Sequence, residues 1–200
     1  MKTHKLRTAA LVTALSVAPA LAGEFGNVSV RNWTWCHGPS AQGYAPAPRL
    51  AGQRPKYIVD QLTGYRAHRR NNPFSKMYMW PAAENVGPDA ARYLANYLAR
   101  LSPEPADDGH RELVATGRAI YQVGAPDANI PACVACHGPR AEGIGEIPRL
   151  AGLSYAYLQN RLEQWHEGYD RNAKHPMPLV ASNLSQNQVA ALASYLSFVK

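Results

Sequence analysis

The sequence predicts an all-α protein that is built from two similar domains in tandem. Residues 36–62 and 136–162 are identical at 13 of 27 aligned positions without a gap, which indicates an internal duplication. The other long segments place apolar residues at helical spacing, and no stretch alternates apolar and polar residues for long enough to form a strand. Duplication and helical periodicity together define this fold class.

The repeated sequence PRLAG predicts a loop that leads into a helix in each domain. It occurs at Pro48 to Gly52 and again at Pro148 to Gly152. The apolar spacing that follows predicts helices over 54–69 and 153–168.

A second helix is expected to close each domain. Apolar residues recur at helical spacing over 87–101 and 185–199, and Ser185 is a suitable N-cap for the latter. Residues 109–124 predict a further helix that opens the second domain and ends at Gly124.

The chain boundaries follow from composition. Residues 1–22 combine a basic start, a short apolar run and a small-residue ending, A-L-A, which is typical of a cleaved secretory signal peptide. Domain 1 is then predicted over 23–101 and domain 2 over 109–200, joined by the proline-rich, acidic linker 102–108. Domain 1 has little room for an opening helix, because only about ten residues precede Trp33 in the expected mature chain.

Charge excludes one class of partner. The formal net charge is +7 for the whole chain and +4 without residues 1–22, which favours acidic proteins or an anionic membrane surface. No long basic run interleaved with aromatic residues indicates nucleic-acid binding. The basic cluster RAHRR, Arg66 to Arg70, is interpreted as the solvated end of a helix, with a docking patch as the alternative.

The string Cys133-Val134-Ala135-Cys136-His137 is the attachment motif of c-type haem. Two cysteines three residues apart lie on the same face of a helical turn, where both sulfurs can form thioethers with the haem vinyl groups. His137 is then the proximal ligand of the iron. A thioredoxin-like pair would need a βαβ context, and a zinc site would need a second ligand pair, so haem is favoured.

Methionine is the expected second axial ligand. After the initiator the chain has only Met77, Met79 and Met177, and all three precede the closing helix of a domain. Alignment of the closing helices pairs Met79 with Met177, which leaves Met77 as a rival in domain 1. His/Met ligation fills both axial positions of the iron, which suits electron transfer better than substrate binding.

Other polar residues are assigned supporting or surface roles. Pro48 and Pro148 are expected to offer backbone carbonyls to the two proximal histidines. Arg49 and Arg149 are expected either to pair with haem propionates or to lie in solvated loops. The remaining histidines are expected at the surface, with His175 as a weaker alternative to Met177: His68, His110, His166 and His175.

The first copy of the motif, NWTWCHG, has Trp33 where the leading cysteine would stand. Cys36, His37, PRLAG and the methionine are all present, which favours a haem held by a single thioether through Cys36, with Trp33 packed near the unbonded vinyl. The alternative is an empty domain 1 in which Cys36 is free or pairs between chains.

The tandem CHG segments, the PRLAG-Y helix entry and the MPLVASNLS ending resemble the dihaem cytochromes c of the cytochrome c4 type over nearly all of the mature chain. The resemblance implies two cytochrome c-like domains related by a pseudo-twofold axis. It implies haem c bound by Cys133, Cys136, His137 and Met177 in domain 2. For domain 1 it implies Cys36, His37 and Met79.

The predicted function is that of an exported dihaem electron carrier in the periplasm, not an enzyme. The resemblance implies a dehydrogenase or oxidase as redox partner and, in some members, association with the membrane. Two alternatives remain at this point: a haem enzyme with an open iron in domain 1, peroxidase-like or thiosulfate-oxidising, and a monohaem carrier whose domain 1 only docks partners.

Overall fold

The computed structural model describes residues 30–44, 46–171 and 175–200. The predicted signal peptide and the expected start of the mature chain lie outside these residues. In the described part of the chain all regular structure is helical, and only isolated bridges, Tyr44 with Ala47 and Ala125 with Ile130, have strand-like pairing. The all-α prediction is confirmed.

The described residues of domain 1, from 30 onward, form four α-helices. A π-helical turn, Ser75–Met79, leads directly into the third of them. The helices are α1 Val30–His37, α2 Pro55–Arg66, α3 Trp80–Ala83 and α4 Pro88–Ala99. Helix α2 packs against α4, and their apolar faces form a core with buried Ile58, Leu62 and Leu94.

Outside residues 172–174, domain 2 forms five α-helices and has its own core. The helices are α5 Val114–Val123, α6 Val134–His137, α7 Tyr155–His166, α8 Met177–Ala181 and α9 Gln186–Phe198. Helix α9 packs against both α5 and α7. The crossing of α5 and α9 requires glycine at position 117, because a Cβ there would collide with the backbone carbonyl of Ala191.

Two predicted helix ends are confirmed, at Ser185 and Gly124, whereas the helices predicted over 54–69 and 153–168 end earlier, at Arg66 and His166. Ser185 accepts a hydrogen bond from the Gln188 amide, and the Gln188 side chain accepts one from the Ser185 amide, which completes a capping box. Gly124 caps the C-terminal end of α5 with a φ of +80°, which is costly for residues with a side chain.

The two domains contact each other through the PRLAG loops. Gln53 donates to the Arg149 carbonyl at 3.0 Å and accepts from the Arg149 amide at 2.8 Å. Arg49 donates to the Gly152 carbonyl, and Arg54 donates to the Glu142 carbonyl at 2.9 Å. These bonds place the two repeated loops face to face.

The segment between α4 and α5 follows the surface of both domains. Ser102 O accepts a hydrogen bond from Gln42 at 2.8 Å, and Ala106 N donates to Gly152 O at 3.0 Å. The segment therefore adds contacts between the domains besides connecting them.

Candidate haem sites

The two candidate sites have the same backbone frame. Helices α1 and α6 both end at the histidine of the CHG motif, and the following glycines, Gly38 and Gly138, have φ of +78° and +83°. The histidine carbonyl then accepts a hydrogen bond from the amide six residues later, at 2.6 Å in domain 1 and 2.8 Å in domain 2. Left-handed backbone favours glycine, so these glycines let the chain turn back beneath the histidine.

Both histidines are held by the predicted backbone carbonyls. His37 Nδ1 lies 2.8 Å from the Pro48 carbonyl, and His137 Nδ1 lies 3.0 Å from the Pro148 carbonyl. A carbonyl oxygen can only accept, so Nδ1 carries the proton and Nε2 keeps a free lone pair. A metal-ligating histidine is commonly oriented in this way.

Burial keeps both imidazoles neutral. His37 is 5% exposed and His137 is 4% exposed. Loss of water contact lowers the pKa of each ring below its ordinary value, and this outweighs the opposing effect of the proline carbonyl. A neutral imidazole is the form that binds iron.

In domain 2, Cys133 immediately precedes α6 and Cys136 lies within it. Both thiols are free. Cys133 is partly buried against the core of domain 2, whereas Cys136 is exposed. Burial raises the pKa of the Cys133 thiol to about 11. Two thiols at this spacing beside a buried histidine are the donor set that haem c requires.

Trp33 replaces the first cysteine in domain 1 and is part of the core. Its side chain is only 8% exposed, and its ring stacks toward His37 with 6.3 Å between ring centroids and 21° between planes. Cys36 is exposed on the same helix with a free thiol. Trp33 thus fills space beside the histidine and offers no sulfur to a vinyl group.

The methionines of domain 1 differ in burial. Met79 is partly buried and packs against the core of domain 1, while Met77 is 65% exposed. In domain 2, Met177 begins α8 and packs against that domain's core. The structure therefore distinguishes the two rivals of domain 1 and gives Met79 the environment of Met177.

One of the two alternatives expected for Arg49 is contradicted by the structure. Arg49 is 6% exposed and bonded to Gln42 and Gly152, so the solvated-loop alternative is wrong for this residue. Its burial arises because domain 2 covers the loop. Arg149 is partly buried, and its Nε has no hydrogen-bond partner in the described part of the chain.

Two further residues are less exposed than the sequence predicts. Arg70, at the end of the cluster RAHRR, is partly buried and donates to Gln61 at 2.8 Å. His175 is partly buried against the Trp165 ring in an edge-on contact at 6.1 Å. Helical periodicity could not predict these contacts, because Trp165 is ten residues from His175 in the sequence and Arg70 also meets Tyr157 of the other domain.

These residues fit haem c. Each domain provides a buried neutral imidazole with a free Nε2, at least one thiol on the same helix and a partly buried thioether near the core. Unpartnered buried N–H groups at Arg149 and Trp165 suit the carboxylates of such a group. The fold and these donors define a c-type cytochrome.

Comparison with known proteins agrees. The family model described as cytochrome c matches residues 114–200. Cytochrome c-552 of Acidithiobacillus ferridurans is 36% identical over 165 residues, covering 81% of this chain and 71% of the relative. Cytochrome c4 of Thiocapsa roseopersicina is 32% identical over 166 residues, covering 80% of this chain and 83% of the relative.

A third relative is named for its partner. The thiosulfate dehydrogenase electron acceptor of Stutzerimonas stutzeri is 36% identical over 170 residues, covering 82% of this chain and 77% of the relative.

Solved structures show the same arrangement. The cytochrome c4 structure of Acidithiobacillus ferrooxidans matches with a TM-score of 0.78 and 33% identity, over 84% of this chain and 98% of that one. Reduced cytochrome c4 of Pseudomonas stutzeri matches with a TM-score of 0.74 and 26% identity, over 86% and 95%. The chain belongs to the cytochrome c4 family and is an electron-carrying cytochrome c with haem c as cofactor.

No helix in the described part of the chain has the length and apolar content needed to cross a membrane.

Proposed function

We propose that this chain is an exported, periplasmic dihaem carrier that takes electrons from a dehydrogenase or a membrane donor and passes them to a terminal acceptor. The observation that carries the proposal is the matched pair His37 and His137. Each is buried, bonded through Nδ1 to a proline carbonyl, and left with a free Nε2. Two equivalent ligand positions in one chain support two haems.

In domain 2 the proposed ligands are His137 and Met177, and the attachment residues are Cys133 and Cys136. Bound haem supplies reversible one-electron chemistry at its iron. The chain's own residues hold the imidazole neutral and oriented, since the Pro148 carbonyl fixes the Nδ1 proton. The thioether of Met177 comes from a segment packed against the core, which limits access of other ligands.

In domain 1 the proposed ligands are His37 and Met79, with a single attachment through Cys36. The partial burial of Met79 favours it over exposed Met77. Trp33 fills the position of the missing cysteine with apolar surface, so we expect it to pack beside the unbonded vinyl group. A methionine-filled sixth position would make domain 1 a carrier as well, and not the catalytic part of a haem enzyme.

The relatives suggest a particular donor. Because two relatives are named as electron acceptors of thiosulfate dehydrogenase, we propose an enzyme of that class, or another periplasmic dehydrogenase, as the electron source. Residues 1–22 carry the proposed export signal, and cleavage after Ala22 would leave domains at 23–101 and 109–200. The mildly basic mature chain suits an acidic partner or peripheral contact with an anionic membrane.

A redox titration with ligand challenge tests this proposal. The matured protein should show two reversible one-electron steps, and neither ferrous iron should bind CO within the time of mixing. Rapid CO or cyanide binding at one haem would instead favour the haem-enzyme alternative, with domain 1 as its site. Stopped-flow reduction by a thiosulfate dehydrogenase should be fast at low salt and slower at high salt, as expected for a charge-steered encounter.

A further inference from the structure

The loop that supports the proximal histidine of domain 2, residues 142–149, is held by two neighbouring residues of domain 1. Gln53 Nε2 donates to the Arg149 carbonyl at 3.0 Å, and Gln53 Oε1 accepts from the Arg149 amide at 2.8 Å. Arg54 Nε donates to the Glu142 carbonyl at 2.9 Å. Domain 1 therefore binds this loop at both of its ends.

The bonds at the end of the loop act on the peptide group that orients His137. The Pro148 carbonyl, which accepts from His137 Nδ1 at 3.0 Å, and the Arg149 amide belong to the same planar peptide group. In a trans peptide these two groups point in opposite directions, so the His137 ring and Gln53 Oε1 hold the plane from opposite sides. The Gln53 side chain is itself fixed, because it is 5% exposed and its Oε1 also accepts from the Arg54 amide at 2.9 Å.

The bond at the start of the loop acts on a second peptide group. The Glu142 carbonyl, which accepts from Arg54, and the Gly143 amide belong to this one planar group. That amide donates to the His137 carbonyl at 2.8 Å. Arg54 also donates to the Gly143 carbonyl. The ring and the backbone of His137 are therefore each bonded to a peptide group that domain 1 holds from the far side.

The residues at the matching positions of domain 2 have different contacts. Alignment of the PRLAG loops pairs Gln53 with Leu153 and, one residue later, pairs Arg54 with Ser154. The Leu153 side chain is buried in the core of domain 2 and has no hydrogen-bonding atom. The Ser154 hydroxyl accepts from the Tyr157 amide as the N-cap of α7. At these two positions the support therefore runs from domain 1 to domain 2.

We propose that Gln53 and Arg54 are positioning residues for His137, and that Gln53 thereby lowers the reduction potential of the domain 2 haem. The inference rests on the proposed binding of haem by domain 2, with His137 as proximal ligand. The bond from the Arg149 amide to Gln53 polarises the shared peptide group and makes the Pro148 carbonyl a stronger acceptor. A stronger bond at Nδ1 raises the basicity of the ligating nitrogen, which favours oxidised iron.

Redox titration of the matured holoprotein, followed by NMR so that haem methyl signals assign each step to a domain, tests Gln53. Haem content is measured first for every variant. Gln53→Leu is neutral and introduces the residue that domain 2 has at the matching position. It should raise the reduction potential of the domain 2 haem, because the Pro148 carbonyl becomes a weaker acceptor. The His137 Nδ1 proton of the reduced protein should shift upfield, as expected for a weaker hydrogen bond.

Two further variants separate positioning from a general loss of structure. Gln53→Glu keeps an acceptor for the Arg149 amide, so the domain 2 potential should not rise above that of the wild type. Arg54→Lys keeps the charge but loses the planar guanidinium fork. It should speed hydrogen exchange of the Gly143 amide, because the peptide group that contains this amide is held less firmly.

Gln42→Leu is the matched control. Gln42 is a partly buried glutamine of domain 1 whose side chain bonds the Ser102 carbonyl and the Glu104 amide, outside the loop 142–149. Its replacement should leave the domain 2 potential unchanged.

The proposal is overturned if Gln53→Leu raises the domain 2 potential no more than Gln42→Leu does, or shifts the potentials of both haems equally. It is also overturned if Arg54→Lys leaves the exchange rate of the Gly143 amide at the wild-type value, a measurement that stands even where Gln53→Leu yields no holoprotein. Absence of haem from domain 2 of the wild type would contradict the proposed function itself, and the haem measurement detects that outcome separately.

Discussion

Domain 1 and domain 2 place the same turn beneath equivalent histidines, His37 and His137, yet they differ at the residue three positions before the CHG cysteine. Cys133 is partly buried at the core of domain 2, and Trp33 is buried in the core of domain 1. The histidine bonds to Pro48 and Pro148 are nevertheless alike at 2.8 and 3.0 Å. Orientation of the proximal ligand therefore depends on the loop and not on the first cysteine.

The difference concerns attachment. Trp33 is much larger than cysteine and makes the apolar contacts of a core residue. Truncation of its side chain would therefore lower the free energy of unfolding by about 3–5 kcal/mol. Domain 1 gains core packing from Trp33 at the position where domain 2 has the thiol of Cys133, the proposed second attachment residue. The following predictions test this comparison, beginning with the largest expected effect.

Removal of the remaining cysteine should affect the two domains unequally. Cys36→Ser removes the single proposed attachment, so the domain 1 haem should be lost completely when the protein is denatured. Cys133→Ser leaves Cys136, so the domain 2 haem should stay attached. Haem staining after denaturing electrophoresis measures both. Retained covalent haem in both domains of Cys36→Ser would contradict single attachment.

Met79→Ala should open the iron of domain 1. Loss of the thioether should lower the reduction potential of that haem and allow it to bind CO stoichiometrically, because His/Met ligation raises the potential and fills the site. Met77→Ala is the matched control, since Met77 is exposed, and should change neither property. CO binding by Met77→Ala and not by Met79→Ala would exchange the two assignments.

Asp170→Asn should loosen the contact between the domains. Asp170 accepts from Arg161 at 2.6 Å and from the Asn71 amide at 2.6 Å, and both partners would lose a buried carboxylate. Breaking such a pair costs about 3 kcal/mol, and asparagine tolerates the φ of +57° found here. Guanidinium unfolding measures the change. Asp89→Asn, which removes an exposed pair with Arg92, should cost less than about 1 kcal/mol.

The same carboxylate has a defined pH dependence. Burial raises the pKa of the Asp170 carboxyl, but the charge of Arg161 and the hydrogen bond from the Asn71 amide lower it by more. The net pKa is therefore below the ordinary value. A depressed pKa means that the stabilisation is complete above the unfolded-state pKa and is lost as pH falls through the folded-state value. The stability difference between wild type and Asp170→Asn should therefore be constant near neutral pH and shrink in strong acid.

The smallest predicted effect lies at the closing helices. Ser185 caps α9 with a capping box, whereas α4 begins after Gly87 with no side-chain cap. Ser185→Ala should cost about 1 kcal/mol of the free energy of unfolding. Gly87→Ser should instead stabilise domain 1 by a few tenths of a kcal/mol. Thermal unfolding of both variants measures these changes. Shifts of the same sign and size in the two variants would show that capping does not distinguish the domains.

Local features were predictable from sequence and contacts between domains were not. The helices, the Ser185 cap, the Gly124 end and the proline carbonyls all depend on residues close in sequence or on the repeat itself. Arg70 is an exception, because a charged cluster at a helix end is usually solvated. In the structure Arg70 lies over the Tyr65 ring and also contacts Tyr157, which comes from the other domain. Periodicity contains no information about such distant partners.

We propose above that domain 1 binds haem through one thioether at Cys36. The most direct test is the intact mass of the denatured, periplasmically matured protein, together with a pyridine haemochrome spectrum of the same sample. We expect two covalent haems and a red-shifted component from the singly attached haem. One covalent haem, with a native haem-to-protein ratio of one, would contradict it and leave domain 1 without a cofactor.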